Sequence, residues 1–244
     1  MSVGARRLVT GLSLEFAAGE FVAILGRNGT GKTLTLHTLL GLRKPQAGAV
    51  YLDGEPMEGV SRRTVALRAG LLAQDVEESF VTTVLEAVLV GRHPHLALWQ
   101  WETAEDERIA QEALAAVDLA DFAGRRTDTL SGGELRRVAV AALLAQEPGV
   151  YLLDEPSNHL DPAHQMGVLG VFRGQCELGK TVIATLHDPT VAARFADRVV
   201  LLHGDGRWQA GAAREMLTAE RLSELYMSPM IELEKDGRRV FVNA

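Results

Sequence analysis

The chain has 244 residues, of which 47% are hydrophobic and 23% charged, the composition of an ordinary soluble globular protein. The length suits one larger α/β domain, or a core that carries one inserted subdomain. The formal net charge of −7 argues against broad electrostatic binding to nucleic acid, so we expect no nucleic-acid partner. Val138–Ala145 is the longest apolar stretch, and a membrane span needs about 20 residues. The start lacks the apolar run of a signal peptide and Cys176 is the single cysteine, so we expect a cytoplasmic protein without an internal disulfide.

Short apolar runs alternate with longer segments of helical spacing, which predicts a parallel sheet covered by helices. The predicted buried strands are Phe21–Leu25, Val150–Leu153, Thr181–Leu186 and Arg198–His203, and Gly70–Gln74 is a further predicted strand. The predicted helices are at about 32–41, 105–117, 132–146, 163–176 and 189–196.

Two regions depart from this rhythm. Leu12–Phe16 and Ala49–Asp53 alternate apolar with polar residues, which predicts a more exposed antiparallel β subdomain near the N-terminus. The stretch from about 76 to 147 is mostly helical and interrupts the strands, so we interpret it as an inserted helical subdomain.

Gly26–Thr33 follows the first buried strand and matches the phosphate-loop pattern GxxxxGK[ST]. Glycines allow a tight turn whose N–H groups point at a phosphate, and the following helix adds its positive N-terminus. Lys32 would supply a charge to the β- and γ-phosphates, and the Thr33 hydroxyl would ligate Mg²⁺. The predicted nucleotide-binding residues of this loop are Gly26, Arg27, Asn28, Gly29, Thr30, Gly31, Lys32 and Thr33.

The strand from Val150 ends in two carboxylates, Asp154 and Glu155, where open α/β sheets bind their ligands. Successive strand residues point to opposite sides, so the two carboxylates cannot do the same work. We predict that Asp154 holds Mg²⁺ through water and that Glu155 is the general base for the attacking water.

Leu130–Glu134 reads Leu-Ser-Gly-Gly-Glu and opens a helix, which resembles the signature sequence of the ABC ATPase family. Its chemistry is again an anion site made by a serine hydroxyl and glycine N–H groups at a helix N-terminus. The predicted nucleotide contacts here are Ser131, Gly132, Gly133 and Glu134.

Other family motifs follow in order. Gln74 resembles the Q-loop residue, which touches the metal and senses the transport partner. Ser157–Asp161 resembles the D-loop, which joins two active sites across a dimer and places Asp161 near nucleotide. His187 resembles the switch histidine, which contacts the γ-phosphate.

The resemblance implies a single domain, 1–244, with a P-loop NTPase (RecA-like) core formed by 1–75 and 148–244. It also implies ATP and Mg²⁺ as cofactors, and a head-to-tail dimer with a second copy. ATP bound by Lys32 and Thr33 of one copy would be capped by Ser131 and Gly133 of the other. The family usually has an aromatic residue near Val3 that stacks on adenine, and residues 1–14 contain none. Either the start is truncated or adenine packs on aliphatic surface.

The segment Val84–His95, together with Asn158–Asp161 followed by Gln165, resembles ATPases of iron-siderophore, haem and cobalamin importers. This implies a subunit that powers type II import, peripheral at the cytoplasmic side of the inner membrane. Its partners would be a membrane permease and a substrate-binding protein. Exporter subunits and a soluble accessory ATPase, as in iron–sulfur cluster assembly, remain alternatives.

A metal site at His93 and His95 is disfavoured because no third ligand is evident. Trp99 and Trp101 belong either to the subdomain core or to a docking surface.

Overall fold

The computed structural model describes residues 1–3, 6–74, 81–158 and 160–244. The central element within those residues is a six-stranded sheet, whose strands are β3 (Phe21–Leu25), β6 (Ala69–Leu72), β7 (Val150–Asp154), β8 (Thr181–Leu186), β9 (Arg198–Leu202) and β10 (Trp208–Ala212). Their order in the sheet is β10-β9-β3-β8-β7-β6. All neighbouring pairs are parallel except β10 with β9.

The two innermost strands are buried along their whole length. Each residue of β3 and β8 is buried, which explains why these segments are nearly continuous apolar runs. Phe21, Ala23 and Leu25 point into one hydrophobic cluster and Val22 and Ile24 into another, so the sheet separates two cores. The predicted parallel sheet is confirmed.

The helices cover both faces of the sheet, and the five predicted ones begin and end within two residues of their expected bounds. They are α1 (Lys32–Leu39), α2 (Arg62–Arg68), α3 (Val84–Leu89), α4 (Ala104–Ala116), α5 (Gly132–Ala145), α6 (Pro162–Glu177), α7 (Pro189–Phe195), α8 (Ala213–Met216) and α9 (Ala219–Tyr226). Short 3₁₀ helices span Val90–Arg92, Ala120–Phe122 and Thr127–Thr129.

The inserted region packs α3, α4 and α5 against one another. Gly91 permits the close approach, since a Cβ there would lie 2.1 Å from the carbonyl oxygen of Ala142. The buried Arg92 donates to Asp106 at 2.9 Å and to the carbonyl oxygen of Ala145 at 2.7 Å, so one side chain joins three segments. Residue 76, the predicted boundary of this subdomain, lies outside the described residues.

The predicted antiparallel region is reduced to short hairpins. β1 (Ser2–Val3) pairs with β2 (Arg6–Arg7), and β4 (Tyr51–Leu52) pairs with β5 (Glu55–Pro56). The strand predicted at Leu12–Phe16 is wrong, because this segment has no ladder partner in the described chain. Its alternation is nevertheless real: every second side chain packs partly against the core beside α1.

The C-terminal part ends in a hairpin of β11 (Met230–Lys235) and β12 (Arg238–Asn243). Phe241 is buried, and its backbone N–H donates to the Thr190 hydroxyl of α7 at 3.0 Å. In the described part of the chain, no helix is both long enough and apolar enough to span a membrane.

Candidate functional site

The loop between β3 and α1 has the backbone that its glycines predict. Gly29 and Gly31 have φ angles of 76° and 103°, in the left-handed region that favours glycine. A Cβ on Gly26 would lie 2.6 Å from the carbonyl oxygen of Leu202, so β9 leaves no space for a side chain. Arg27 and Asn28 are exposed at the turn. The loop therefore presents backbone at a helix N-terminus, the arrangement that binds phosphate.

Lys32 is buried at the base of this loop, with 5% of its surface exposed. Its ammonium donates to the carbonyl oxygen of Gly26 at 2.9 Å. Desolvation lowers the pKa of Lys32, while the nearby carboxylates of Glu155 and Asp154 act in the opposite direction. Thr33 is half-buried and follows in the first turn of α1.

The Asp154 carboxylate and the Glu155 main chain, at the end of β7, share one hydroxyl. Asp154 is 1% exposed and accepts from the Thr185 hydroxyl at 2.7 Å. The same oxygen of Thr185 accepts from the backbone N–H of Glu155 at 2.9 Å. Because Thr185 belongs to the adjacent strand β8, the sheet fixes the relative positions of both acids.

Glu155 is held by contacts on both carboxylate oxygens. One oxygen lies 2.5 Å from Nε2 of His187, and the other accepts from the Asn158 amide. Glu155 has a φ of 48°, a costly conformation for a residue with a side chain. A depression lined by Glu155, Asn158, Gln165, Thr185 and His187 opens here to solvent.

Gln74 lies just beyond β6, which ends at Leu72 rather than at Gln74 as predicted, because pairing with β7 stops there. Its side chain is exposed, and its carbonyl oxygen accepts from Arg136 at 3.2 Å. The next residues, 75–80, lie outside the described part of the chain.

The Ser-Gly-Gly-Glu segment forms the exposed N-terminus of α5. Glu134 N–H donates to the Ser131 hydroxyl at 3.3 Å, and Ser131 N–H donates to the Glu134 carboxylate at 2.7 Å. These bonds to Ser131 lower the pKa of Glu134. Gly132 is exposed with open space around it, and Gly133 is half-buried. Within the described chain, no hydrogen bond joins this segment to Lys32.

Asp161 starts α6 instead of lying in the pocket near Glu155. Its carboxylate accepts from the backbone N–H groups of Ala163 and His164, both at 3.0 Å, and caps the helix. Bonds to His164 are the largest cause that lowers the Asp161 pKa. Asp161 would therefore have to contact nucleotide from its exposed position at the N-terminus of α6.

Comparison with known proteins decides the family. The family model described as ABC transporter matches residues 9–158. The ferric enterobactin transport ATP-binding protein FepC of Escherichia coli is 38% identical over 93% of this chain and 84% of its own. This chain belongs to the ABC transporter family.

Other relatives agree with this assignment. The hemin import ATP-binding protein HmuV of Nocardia farcinica is 39% identical over 94% of this chain and 79% of its own. A solved transporter described as metal-chelate type, in an inward-facing conformation, has a TM-score of 0.82 at 30% identity and covers 96% of this chain and 89% of its own. A dimeric ATP-binding cassette in a post-hydrolysis state with ADP and Pi has a TM-score of 0.74 at 29% identity, over 88% of this chain and 95% of its own. As an ABC cassette, the chain binds and hydrolyses ATP.

The donor set of this ABC site suits Mg²⁺. Asp154 and Thr33 offer oxygen atoms, which Mg²⁺ prefers, and it usually binds through one or two carboxylates while keeping several waters. Among the described residues, no three or more His, Cys, Asp or Glu side chains gather into a metal-binding group. The arrangement therefore fits a metal shared with substrate phosphates and does not resemble an all-protein cage.

Thr185 and Arg136 contact the ABC site and were not predicted from the sequence, whereas Asn158 was named only as part of the D-loop segment. A polar residue inside the apolar strand 181–186 was the available signal for Thr185, which is fully buried. Arg136 is also buried, although it follows an exposed signature segment. No local pattern indicates its partners, which come from distant segments.

The two histidines of the inserted region have different surroundings. His95 Nε2 lies 2.9 Å from the carbonyl oxygen of Gln146, and His93 Nε2 lies 3.9 Å from Glu102. Trp99 and Trp101 are 92% and 84% exposed, so they are not core residues of the subdomain. The predicted place of the adenine-stacking residue falls at Val3, whose side chain lies outside the described part.

Proposed function

We propose that this chain is the ATP-hydrolysing subunit of an importer for a metal chelate, such as an iron-siderophore, haem or cobalamin. The names of FepC and HmuV support this, since they describe ferric enterobactin transport and hemin import. The similarity to a metal-chelate type transporter over nearly the whole chain supports the same reading.

The observation that carries the catalytic part is the convergence of Lys32, Asp154 and Glu155. Lys32 is buried, and the Glu155 and Asp154 carboxylates that act on its pKa lie at the carboxyl edge of parallel strands, where open α/β sheets bind their ligands. We assign Lys32 to the β- and γ-phosphates of ATP, with Thr33 and Asp154 as the residues that hold Mg²⁺. When bound, Mg²⁺ neutralises charge on the phosphates.

Glu155 is the proposed general base. It accepts a proton from the water that attacks the γ-phosphorus, while ADP leaves from the other side. His187 orients this carboxylate and reaches towards the γ-phosphate, since its Nε2 is 2.5 Å from Glu155 and 43% of its side chain is exposed. Gln74, exposed at the end of its segment, is assigned to the metal and to sensing the permease.

We assign the working form to a head-to-tail dimer. Ser131 and Gly132 are exposed, and no hydrogen bond among the described residues joins their segment to Lys32, so this segment is free to meet the nucleotide of a second copy. The similarity to a dimeric ATP-binding cassette supports the pairing. ATP then joins the two copies, and hydrolysis releases them.

The remaining proposed partners are a membrane permease and a substrate-binding protein. The chain would sit on the permease at the cytoplasmic side of the inner membrane. Its cargo would be selected by these partners, since the chemistry found here concerns phosphate.

The test is to purify tagged Glu155→Gln protein with ATP and Mg²⁺ from detergent-solubilised native membranes and to identify bound proteins by mass spectrometry. We expect a many-spanning permease, because blocked hydrolysis preserves the closed state. Lys32→Ala, treated identically, is the control that lacks the nucleotide contact. A soluble assembly protein without any membrane partner would contradict the importer assignment.

A further inference from the structure

Arg136 is a buried cation that the proposed mechanism does not use. It lies in the second turn of α5, five residues after Ser131, and is only 2% exposed. A guanidinium carries five N–H donors in a fixed plane, and burying them without partners is costly. The identity of its partners therefore shows what the side chain does.

The guanidinium donates to main-chain carbonyl groups of two catalytic segments. Its Nη1 donates to Ala73 and, at 3.2 Å, to Gln74. Its Nη2 donates to Asp154 and to Glu155, both at 2.9 Å. Its Nε donates to Pro156 at 3.3 Å. One side chain of the signature helix thus binds the Gln74 segment and the backbone that carries both carboxylates.

The backbone at Glu155 needs such support. Its φ of 48° is a strained conformation for a residue with a side chain, and such a conformation persists where the surroundings determine it. The carbonyl oxygen of Glu155 accepts from Arg136 and from the N–H of Asn158 at 3.1 Å, while its own N–H is bound by Thr185. These contacts set the direction in which the carboxylate leaves the main chain.

Arg136 also links the segments that follow two neighbouring strands. β6 and β7 are neighbouring parallel strands, so Gln74 and Glu155 follow them at the same edge of the sheet. A shift of α5 or of the Gln74 segment would change the carbonyl positions that Arg136 can satisfy. The backbone of Glu155 is therefore tied to both elements.

We propose that Arg136 is a positioning residue for ATP hydrolysis, which orients the carboxylate of Glu155 by holding its main chain. Through the same hydrogen bonds, the orientation of this carboxylate depends on the positions of the Gln74 segment and the signature helix. The proposal rests on the proposed role of Glu155 as general base. Arg136 has no assigned contact with nucleotide, so its effect belongs to turnover and not to ATP affinity.

The test compares Arg136→Met, which keeps the stem and removes the donors, with Arg136→Lys, which keeps the charge. We expect Arg136→Met to lower kcat by about 10- to 100-fold, because small misplacement of a catalytic group has effects of this size. The Kd for ATP, measured with a fluorescent ATP analogue, should stay within about threefold. Arg136→Lys should be intermediate, since an ammonium cannot reach all these carbonyl groups.

Arg137→Met is the matched control. Arg137 is the next residue of α5, and its Nη1 donates to the carbonyl oxygen of Val117 at 3.3 Å, away from Glu155. This variant loses a side chain of the same size and should keep its kcat even if its melting temperature falls. Equal kcat in the Arg136 and Arg137 variants, or a parallel loss of ATP affinity, would overturn the proposal. If Arg136→Met does not fold, Arg136→Lys carries the same comparison.

A double variant separates this proposal from the role of Glu155. In a Glu155→Gln chain, Arg136→Met should reduce the residual rate no further, because both changes act through one group. If Glu155→Gln itself hydrolyses ATP at the normal rate, the base assignment fails. If Glu155→Gln is inactive and Arg136→Met turns over normally, the positioning proposal alone fails.

Discussion

At the scale of single residues, we expect the buried charge of Lys32 to lower the stability of the fold and to favour ATP binding. Because burial lowers its pKa, the folded chain binds its proton more weakly than the unfolded chain, and the charged form costs stability at neutral pH. Lys32→Met should therefore leave the melting temperature of the nucleotide-free protein unchanged or raise it, while it abolishes ATP binding. Calorimetric titration with ATP and thermal unfolding measure the two effects.

The control for this variant is Lys44→Met, at a lysine whose side chain is 88% exposed and paired with Glu58. It should change neither property, since exposed ion pairs contribute little. If Lys32→Met binds ATP with normal affinity, the phosphate role of Lys32 is wrong.

Thr185 is the second residue whose removal discriminates between structure and chemistry. Thr185→Val keeps the shape but leaves the Asp154 carboxylate and the Glu155 N–H without their shared hydroxyl. We expect a loss of about 1–3 kcal/mol in the free energy of unfolding and a lower kcat, because both acids lose their alignment. Urea denaturation and steady-state ATPase assays measure these.

Thr181→Val is the matched control at the other end of β8. The Thr181 hydroxyl donates to the carbonyl oxygen of Ala17 at 3.0 Å, and the residue is 7% exposed. A comparable loss of stability with normal kcat is expected there. Equal effects on kcat at both positions would mean that Thr185 acts through stability alone.

How far the site could be predicted depends on whether its residues are contiguous. Lys32, Asp154 and Glu155 lie in short contiguous motifs, and the sequence of each motif predicts its turn or strand and its role. Thr185 and Arg136 act on segments that are distant along the chain, and nothing near them in the sequence indicates which carbonyl or carboxylate they meet. Those contacts follow from sheet order and helix docking, which spacing does not specify.

At the scale of elements, the inserted helical region contains an ion pair of Arg92 and Asp106, whose side chains are each 8% exposed. Bonds from Thr103 and then from Arg92 lower the pKa of Asp106 to about 2. The folded state thus binds this proton more weakly than the unfolded state, whose carboxyl titrates near 4. The stabilisation is complete above about pH 4 and is lost as the pH falls towards 2.

Asp106→Asn tests this dependence. The variant should be less stable than the parent at pH 7 by roughly 1–3 kcal/mol, and the difference should shrink below pH 4. Urea denaturation at several pH values measures it, and Asp121→Asn, at an exposed carboxylate, should show almost no difference at any pH. A difference that stays constant down to pH 3 would contradict the ionic explanation.

Some helices with a clear start signal in the sequence were predicted closely, and others with a similar signal were missed. Ser131 and Asp161 begin α5 and α6 as caps, and the bounds of those helices follow closely. Leu12–Phe16 has the alternating burial of a strand, but its pattern reports which side faces the core and not whether another strand lies beside it. α2 and α9, of seven and eight residues, were not predicted, although each begins at a hydroxyl cap, Ser61 and Thr218.

At the scale of the whole molecule, the proposed head-to-tail dimer would place Ser131 in a partner's site. In a Glu155→Gln chain, ATP should double the 26.4 kDa mass measured by light scattering, and adding Ser131→Ala should abolish that doubling while ATP still binds each monomer. Thr83→Ala is the matched control, because Thr83 forms the same capping box with Glu86 on α3. Each substitution costs its helix about 1 kcal/mol, so stability alone affects both variants alike. A dimer that forms with Ser131→Ala, or fails with Thr83→Ala, would show that the exposed signature segment does not cap the partner's nucleotide.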